Sequence, residues 1–292
     1  MAIVVLGDVA VDIVSYLRTP LLRGSDAPAQ IRVMPGGSGA NVAAWLGRVG
    51  SPVTFVGRVG DDAFGRWLAE DLASEGVSLA LQVDRERPTA VIQVLVEPGG
   101  ERTMVPDRGA NAHWQEGDVS EELIASADLL HLVGYVLFDP GSRYGALRAM
   151  EYARAHGVPV SLDTSSHGPL TGLGGEAFWS LAGHVSIFLP NRNEARVLTG
   201  LDDPEAALAA LRPHADLVAI KLDRDGCLAG QPGVASPCRQ SAPVIPVPNA
   251  TGAGDAFDAG FLAAWVRERD LAAACKAGVE LGSRAASLPT TR

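Results

Sequence analysis

Several features are scarce or missing in this sequence. It has only three cysteines, Cys227, Cys238 and Cys275, whose odd number and wide spacing fit neither a disulfide framework nor a metal site. No uncharged apolar run reaches the roughly 18 residues that a membrane-spanning helix needs. The first strand-like run has no basic segment before it and meets Asp8 early, which is not typical of a signal peptide. We therefore expect a reduced, cytoplasmic protein without a membrane span.

Positive charge is also scarce. The chain has 24 Lys and Arg residues against 34 Asp and Glu residues, which gives a net charge of −10. This balance argues against nucleic acid or an anionic membrane as the main partner. It still permits an anionic ligand, because backbone N–H groups at a helix start bind phosphate even on an acidic protein. With 292 residues, 47% of them apolar, the chain is long enough for one large domain with a substantial core.

Apolar runs alternate with amphipathic stretches along the chain. The runs, which we predict to be strands, are residues 3–6, 53–56, 129–133, 158–162, 185–189 and 217–221. The stretches that we predict to be helices are residues 40–49, 63–75, 142–156, 194–199, 204–211 and 256–267. This alternation is typical of an α/β protein with a mostly parallel sheet covered on both faces. Such sheets bind their ligands beyond the carboxyl ends of the strands.

Two segments break this alternation, at residues 11–35 and 88–106. The first contains the strand-like stretches 11–17 and 30–34. The second contains the stretches 89–96 and 102–105, which are joined by the turn sequence Glu97-Pro98-Gly99-Gly100-Glu101 and resemble a hairpin. We predict that both segments form a small sheet that projects from the single main domain.

The sequence Thr251-Gly252-Ala253-Gly254-Asp255 precedes a long apolar stretch. Small residues let a backbone approach a ligand closely, and the free N–H groups at a helix start attract anions. We therefore predict that this turn surrounds a phosphate group, and that Asp255 accepts the proton of a hydroxyl that attacks the phosphorus. The alternative, from this segment alone, is a plain helix start that Thr251 or Asp255 caps.

A second glycine-rich turn, Pro35-Gly36-Gly37-Ser38-Gly39-Ala40-Asn41, also precedes a helix-like stretch. The Asn41 amide can both donate to and accept from sugar hydroxyls. A sharp strand-to-helix turn would explain the same glycines. No Gly-Lys-Ser/Thr follows them, and their spacing does not match the dinucleotide fingerprint, so neither of those nucleotide-binding loops is present. The sequence also lacks the Gly-x-Ser-x-Gly elbow of serine hydrolases.

Polar residues follow the predicted strand 185–189. Asn191 and Glu194 are three residues apart and therefore lie on one face of the next helix. Oxygen ligands at the carboxyl end of a strand suit Mg²⁺, which keeps several of its waters. A helix cap would use the same two residues. Asp12, in the first projecting strand, is a candidate for binding hydroxyl groups, and Asp163 ends another predicted strand.

Taken together, these motifs resemble the PfkB (ribokinase-like) family of carbohydrate and nucleoside kinases over essentially the whole chain. The amino-terminal pattern corresponds to residues 36–41 and 57–62, and the carboxyl-terminal pattern corresponds to residues 251–257. Asn191 to Glu194 matches the family's Asn-x-x-Glu, and Gly109-Ala110-Asn111 is also similar. The resemblance implies a three-layer αβα sandwich with a mostly parallel central sheet and a small β-sheet lid.

The resemblance also implies transfer of the γ-phosphate of ATP to a hydroxymethyl group. It makes Asp255 the catalytic base, and it assigns the anion hole to Gly252, Ala253 and Gly254. The residues that correspond to sugar contacts are Asp12, Gly36, Gly37 and Asn41. Those that correspond to the nucleotide site are Asn191, Lys221, Asp223 and Gly226. Glu194 corresponds to the residue that positions Mg²⁺, mostly through water. The exposed edge of the lid makes a homodimer an expectation.

The chain departs from the family pattern at several positions. Ser38 stands where ribokinases usually carry Lys, and Asp223 stands where Gly is usual. Asn249-Ala250 replaces an Asp-Thr pair whose Asp helps to bind an activating monovalent cation, so the resemblance does not extend to K⁺ activation. Gly134-Tyr135 occupies a place where ribokinase-type enzymes carry an acid.

The acceptor that a Gly-Gly-x-Gly-x-Asn site favours is a neutral sugar. One alternative is a nucleoside, for which the aromatic content of 5% leaves Tyr16 and Tyr135 as the nearest stacking residues. Another is a sugar acid, for which Arg32, Arg102 and Arg108 lie on or beside the lid. A different class is a non-catalytic nucleotide- or sugar-binding regulator, against which the intact Gly-Ala-Gly-Asp argues. A nicotinamide-dependent dehydrogenase would show the same alternation but needs a fingerprint that is missing.

Overall fold

The strands of the chain form two separate sheets. The computed structural model describes residues 1–21, 24–115, 117–232, 236–246 and 251–288. Within these residues the strands, in chain order, are β1 (Ile3–Leu6), β2 (Ala10–Leu17), β3 (Ala29–Gly36), β4 (Val53–Gly60), β5 (Ser78–Asp84), β6 (Ala90–Val96), β7 (Arg102–Asp107), β8 (Leu129–Val133), β9 (Val160–Asp163), β10 (Val185–Phe188), β11 (Ala215–Lys221), β12 (Cys227–Gly230) and β13 (Cys238–Gln240).

Helices connect most of the strands of the larger sheet. They are α1 (Ser38–Arg48), α2 (Ala63–Ser74), α3 (Glu121–Ala125), α4 (Tyr135–Phe138), α5 (Pro140–Ala155), α6 (His167–Leu173), α7 (Gly175–Ala182), α8 (Arg192–Thr199), α9 (Pro204–Leu211), α10 (Ala253–Glu268) and α11 (Leu271–Ala286). Short 3-10 turns cover Gly109–Ala112, Arg212–His214 and Asp223–Asp225. None of the described helices combines the length and the apolar character that a membrane crossing requires.

The larger sheet is mostly parallel, as predicted. Its strand order in the described chain is β13-β12-β11-β10-β9-β8-β1-β4-β5. All neighbours from β11 to β5 run parallel, and β12 and β13 pair antiparallel at one edge. The parallel strands therefore bring their carboxyl ends to the same edge of the sheet, where a ligand site is expected.

Both faces of the larger sheet are buried. In β1, Ile3 and Val5 belong to one hydrophobic core, and Val4 and Leu6 belong to the other. The first core contains side chains of α1, α2, α10 and α11, and the second contains side chains of α3 to α9. Because successive side chains of a strand point to opposite faces, continuous apolar runs are what this sheet needs. The predicted three-layer αβα sandwich is confirmed.

The smaller sheet has the strand order β3-β2-β6-β7. β2 pairs antiparallel with β3 and parallel with β6, and β6 pairs antiparallel with β7. The β6–β7 turn is closed by backbone hydrogen bonds between Glu97 and Glu101 and between Gly100 and Glu97. Val14, Met34 and Val94 form a buried apolar cluster on one face of the sheet. Both segments that interrupt the helix–strand alternation thus join one small sheet.

Candidate active site

A cavity of about 1650 Å³ lies between the carboxyl ends of the parallel strands and one face of the smaller sheet. Asp163, at the end of β9, and Lys221, at the end of β11, line it from the large sheet. All of the predicted site residues except Gly36 contribute to its wall, namely Asp12, Gly37, Asn41, Asn191, Glu194, Lys221, Asp223, Gly226, Gly252, Ala253, Gly254 and Asp255. The structure therefore brings three motifs from distant parts of the sequence into one cavity.

The glycine-rich turn before α1 is needed for close packing. A Cβ atom on Gly36 would lie 2.5 Å from the carboxyl group of Asp12, so glycine leaves the room that this carboxylate occupies. Gly37 has φ of +92°, and a Cβ atom there would lie 2.6 Å from the carbonyl oxygen of Asp8. Only glycine tolerates this conformation and this approach. Gly36 thus shapes the wall through Asp12 and does not line the cavity itself.

Asp255 lies in the first turn of α10 and is partly buried. Its Oδ1 accepts a hydrogen bond from the Ser38 hydroxyl at 2.8 Å, and its Oδ2 accepts one from Nδ2 of Asn41 at 2.8 Å. Burial raises the pKa of Asp255 to about 7, although the hydrogen bonds from Asn41 and Ser38 oppose that rise. A carboxylate with this pKa can take up a proton near neutral pH, which suits a general base.

Helix α10 begins without a side-chain cap. Its N-cap is Gly252, whose φ of +79° is left-handed, and the next residues are Ala253 and Gly254. Uncapped first-turn N–H groups and the positive end of the helix dipole form an anion site. Arg102 of β7 donates a hydrogen bond to the Thr251 hydroxyl, so the smaller sheet contacts this turn directly. The segment is therefore available to an anionic group in the cavity.

Lys221 lies beneath the start of α10 in a buried ion-pair cluster. Its Nζ is 3.0 Å from Oδ1 of Asp163 and 3.0 Å from Oδ1 of Asp258. Burial lowers the pKa of Lys221, but the charges of Asp163 and Asp258 outweigh burial and raise it above its usual value. The ammonium is 3.8 Å from the place that a Cβ atom on Gly254 would take. A permanent positive charge thus lies against the glycine turn.

Asn191 and Glu194 form a capping box at the start of α8. The Asn191 side chain accepts from the Glu194 N–H at 3.0 Å, and Glu194 Oε2 accepts from the Asn191 N–H at 2.8 Å. The Thr164 hydroxyl also donates to Glu194. Burial, followed by the negative charge of Asp163, raises the pKa of Glu194 to about 7. The helix cap is therefore present, and Glu194, although fully buried, is also a lining residue of the cavity.

The turn after β11 forms another part of the wall. Asp223 has φ of +53°, a left-handed conformation that glycine adopts at lower cost. This explains why Gly is usual there, and Asp is one of the few other residues that tolerate it. A Cβ atom on Gly226 would lie 1.9 Å from the carbonyl oxygen of Gln240, so this glycine lets β12 start close to its neighbour. Asn249 and Ala250, which bear on the monovalent cation, lie outside the described residues.

Some cavity residues make contacts that the sequence does not predict. Ser38 contacts Asp255, yet the two are 217 positions apart. Arg108 donates to the carbonyl oxygen of Tyr135 at 3.2 Å, and its guanidinium lies 5.7 Å from the centre of the Tyr135 ring. The Asn111 amide donates to the Val9 carbonyl at 2.8 Å, which ties the segment after β7 to the start of β2. In the sequence, the position of Ser38 between Gly37 and Gly39 is the feature that marks this serine as a candidate site residue.

Comparison with known proteins identifies relatives across the whole chain. The sequence matches the model of the pfkB family carbohydrate kinases over residues 2–292. It is 32% identical to Probable fructokinase-7 of Arabidopsis thaliana over 279 residues, which cover 89% of this chain and 77% of that relative.

Solved structures with the same fold are also found. Arabidopsis thaliana ribokinase, complexed with ribose and ATP, is 26% identical with a TM-score of 0.84, and the match covers 99% of this chain and 94% of that one. The adenosine kinase of Sinorhizobium meliloti, at 24% identity, has a TM-score of 0.86 over 99% of this chain and 95% of that one. This second likeness shows the shared fold.

Proposed function

We propose that this chain, which belongs to the pfkB family of carbohydrate kinases, transfers the γ-phosphate of ATP to a hydroxymethyl group of a small sugar. The observation that carries the proposal is the position of Asp255. Its carboxylate lies in the first turn of an uncapped helix and contacts Asn41 in the same cavity that Asp12 lines. A base, an anion site and groups suited to sugar hydroxyls therefore meet in one place.

In the proposed reaction, Asp255 accepts the proton of the attacking hydroxyl while the phosphoryl group moves in line. The N–H groups of Gly252, Ala253 and Gly254 stabilise the charge that develops on the phosphoryl oxygens. Lys221 adds a fixed positive charge below this turn, although Asp163 and Asp258 already pair with it. Its role is therefore to hold the start of α10 in place more than to contact phosphate.

The proposed sugar site lies on the side of the smaller sheet. Asp12 and Asn41 line the cavity there, and Gly37 lets the chain turn tightly beside them. Oδ1 of Asn41 is buried and has no hydrogen-bond partner among the described residues. A buried acceptor of this kind is costly to leave unsatisfied, and a sugar hydroxyl would satisfy it. The smaller sheet then acts as a lid that excludes water from the transferring phosphoryl group.

The proposed nucleotide site lies at the other end of the cavity, along Asn191, Lys221, Asp223 and Gly226. Glu194 and Asp163 both line the cavity, and their carboxylate oxygens are the ligand type that suits a Mg²⁺ ion arriving with ATP. Asn191 and Thr164 already donate to Glu194, so its contact with the ion would pass through water. When bound, Mg²⁺ neutralises charge on the phosphate groups.

A nucleoside is the second candidate acceptor, and the cavity wall favours it. The lid face over the cavity carries Val14, Met34, Ile92 and Val94, and Tyr16 lies at the border of the same cluster. An apolar wall of this size suits a flat ring attached to the sugar better than a free sugar, whose hydroxyls need polar partners. The hydroxymethyl group and Asp255 would play the same parts with either acceptor.

An ATP-consumption screen against neutral sugars, sugar acids and nucleosides, with and without K⁺, tests the proposal. The expected result is turnover with a neutral sugar, while preference for nucleosides would favour the second candidate. Turnover confined to sugar acids would point to a charge contact from Arg32, Arg102 or Arg108. Binding of ATP without turnover on any acceptor would contradict an enzyme and favour a regulator. Binding of a nicotinamide cofactor in place of ATP would favour a dehydrogenase.

We also propose a homodimer that forms through the lid. Ile31 and Val33 of β3 and Val105 of β7 are more than half exposed on the face of the small sheet that points away from the cavity. Exposed apolar side chains on edge strands favour pairing with a second copy. Light scattering is expected to give twice the chain mass, and Ile31→Lys is expected to give the monomer. A wild-type monomer at assay concentration would contradict this.

We further propose a cytoplasmic location, which the three free cysteines fit.

A further inference from the structure

The three cysteines of the chain meet at one edge of the larger sheet. Cys227 lies in β12, Cys238 in β13 and Cys275 in α11. In the antiparallel β12–β13 pair, Cys238 is opposite Ala229, so Cys227 and Cys238 project from the same face as diagonal neighbours. Three residues that are widely spaced in the sequence therefore share one face of a two-stranded edge.

Helix α11 covers this face. Cys227, Ala229 and Cys275 belong to the same hydrophobic core, and Cys238 packs against its border. Helix α11, which carries Cys275, packs against both β12 and β13. Cys227 and Cys275 are buried, while Cys238 is partly exposed, and all three are free thiols. Cys238 is thus accessible from solvent, and it packs against the core that contains the buried Cys275.

The thiol cluster lies behind a wall of the active-site cavity. Gly226, which directly precedes Cys227, lines the cavity. Val279, which lies one helical turn after Cys275, also lines it. Ala242, four residues after Cys238, lines it too. Each cysteine is therefore on a segment that also contributes to the wall at the proposed nucleotide end. A covalent link within the cluster would restrain that wall.

We propose that Cys238 and Cys275 form an oxidation-sensitive modification site that closes to a disulfide in the presence of a peroxide. Hydrogen peroxide first oxidises the accessible Cys238 thiol to a sulfenic acid and is itself reduced, releasing one water. The sulfur of Cys275 then attacks the sulfenic sulfur. The S–S bond forms, and the sulfenic hydroxyl leaves with the thiol proton as a second water. In sum, two thiols and one peroxide give one disulfide and two waters.

The link is expected to weaken nucleotide binding, and this part rests on the proposed function. It would join β13 to α11, and α11 packs along α10, whose first turn is the proposed anion hole. Movement of the wall on ATP binding would then be restricted. We expect a several-fold rise in the KM for ATP with little change in the KM for the acceptor, reversed by dithiothreitol.

Peptide mapping of the full chain, after peroxide treatment and alkylation, tests the proposal. A peptide with Cys238 is expected to be joined to one with Cys275, in a form that dithiothreitol releases. Cys238→Ser is expected to abolish the link, and the matched variant Cys227→Ser is expected to retain it. The wild-type map alone decides the matter if a variant does not fold.

Three results would overturn the proposal. They are full alkylation of all three thiols after peroxide treatment, overoxidation of Cys238 without a link, and a link that joins two chains. The map reads a covalent bond, so it gives its answer whether or not the chain proves to be a kinase. A disulfide without any change in the KM for ATP would overturn only the proposed effect on the nucleotide.

Discussion

Asp255 is the side chain on which the proposed chemistry depends. Burial raises its pKa to about 7, and two neutral donors, Asn41 and Ser38, keep the rise from being larger. These opposing effects leave the carboxyl group able to gain and lose a proton near neutral pH. The carboxylate is therefore both positioned and tuned by residues of the other glycine-rich turn.

Replacement of Asp255 by Asn is expected to leave the fold intact and to lower turnover by about 10²–10⁴-fold, the usual contribution of a general base. The amide keeps the size of the side chain but cannot accept the proton of the acceptor hydroxyl. Steady-state assays together with thermal melts measure both effects. The exposed Asp216→Asn is the control, and it is expected to keep wild-type rates. A D255N enzyme with wild-type turnover would rule out the assigned base.

Ser38 is expected to act on the rate through Asp255. The hydroxyl stabilises the ionised carboxylate, so its loss in Ser38→Ala raises the pKa of Asp255 further. The acid limb of the pH profile of kcat/KM is then expected to move to higher pH, while rates at alkaline pH recover. Ser38→Thr keeps a hydroxyl and is expected to keep the wild-type profile. A uniform loss of rate at every pH in S38A would contradict this role.

Among the elements, the start of α10 is fixed by charge as well as by packing. Lys221 of β11 joins Asp163 of β9 to Asp258 of α10, and all three are nearly or fully buried. Removal of one partner leaves buried carboxylates without compensation, which is far costlier than the net value of the pair. The cluster thus connects two strand ends to the helix that carries Asp255.

Lys221→Met is therefore expected to lower the free energy of unfolding by about 3–5 kcal/mol, the usual cost of breaking a buried ion pair. Denaturant titration measures it. Lys276, the other lysine of the chain, is exposed, and Lys276→Met is expected to leave stability unchanged. Equal stability of K221M and wild type would show that the cluster does not hold the helix.

The sequence predicted the elements whose burial leaves a pattern. The stretch 129–133 is a continuous apolar run because β8 is buried on both faces, and its predicted bounds are those observed. The edge strand β5 was not predicted, because all of its residues except Asp84 are exposed or partly exposed and they show no such run. Helix α6 was also missed, since two glycines and a proline interrupt its seven residues, and α7 was missed because it is only eight residues long and follows Gly174 directly.

The site was predictable only where function leaves a local mark. Gly252 and Gly254 stand out because two glycines flank an alanine directly before Asp255, and Gly36 and Gly37 belong to a similar cluster before Asn41. The contact of Ser38 with Asp255 and the pairing of Lys221 with Asp258 leave no such mark. They join residues that are 217 and 37 positions apart, so they follow from tertiary packing alone.

For the whole molecule, the raised pKa values carry a cost in stability. The pKa of Asp255 and that of Glu194 are each raised to about 7 in the folded chain, whereas an unfolded carboxyl group has a pKa of about 4. Between these values the folded state holds more protons, so the contribution of both groups to stability falls as pH rises. The two carboxyl groups therefore contribute least to the free energy of unfolding at the pH at which Asp255 is ionised and can act as a base.

Asp255→Asn removes one of these two titrations. The stability of D255N relative to wild type is therefore expected to increase from about pH 5 to about pH 8, since only the wild type loses stability as Asp255 ionises. Melting curves of both proteins across this range measure the difference. A difference that is constant with pH, or that falls as pH rises, would show that the pKa of Asp255 is not raised.

Proton-coupled phosphorus NMR of the product tests the central claim most directly. The measurement compares wild type and D255N, with ATP and the best acceptor of the screen. Phosphate transfer to a hydroxymethyl group predicts a phosphomonoester signal split into a triplet by two equivalent CH₂ protons, or into a closely related multiplet if they differ. In the same reaction time D255N is expected to give a signal that is weaker by about 10²–10⁴-fold. A doublet from a secondary hydroxyl, inorganic phosphate alone, or an undiminished D255N signal would contradict the claim.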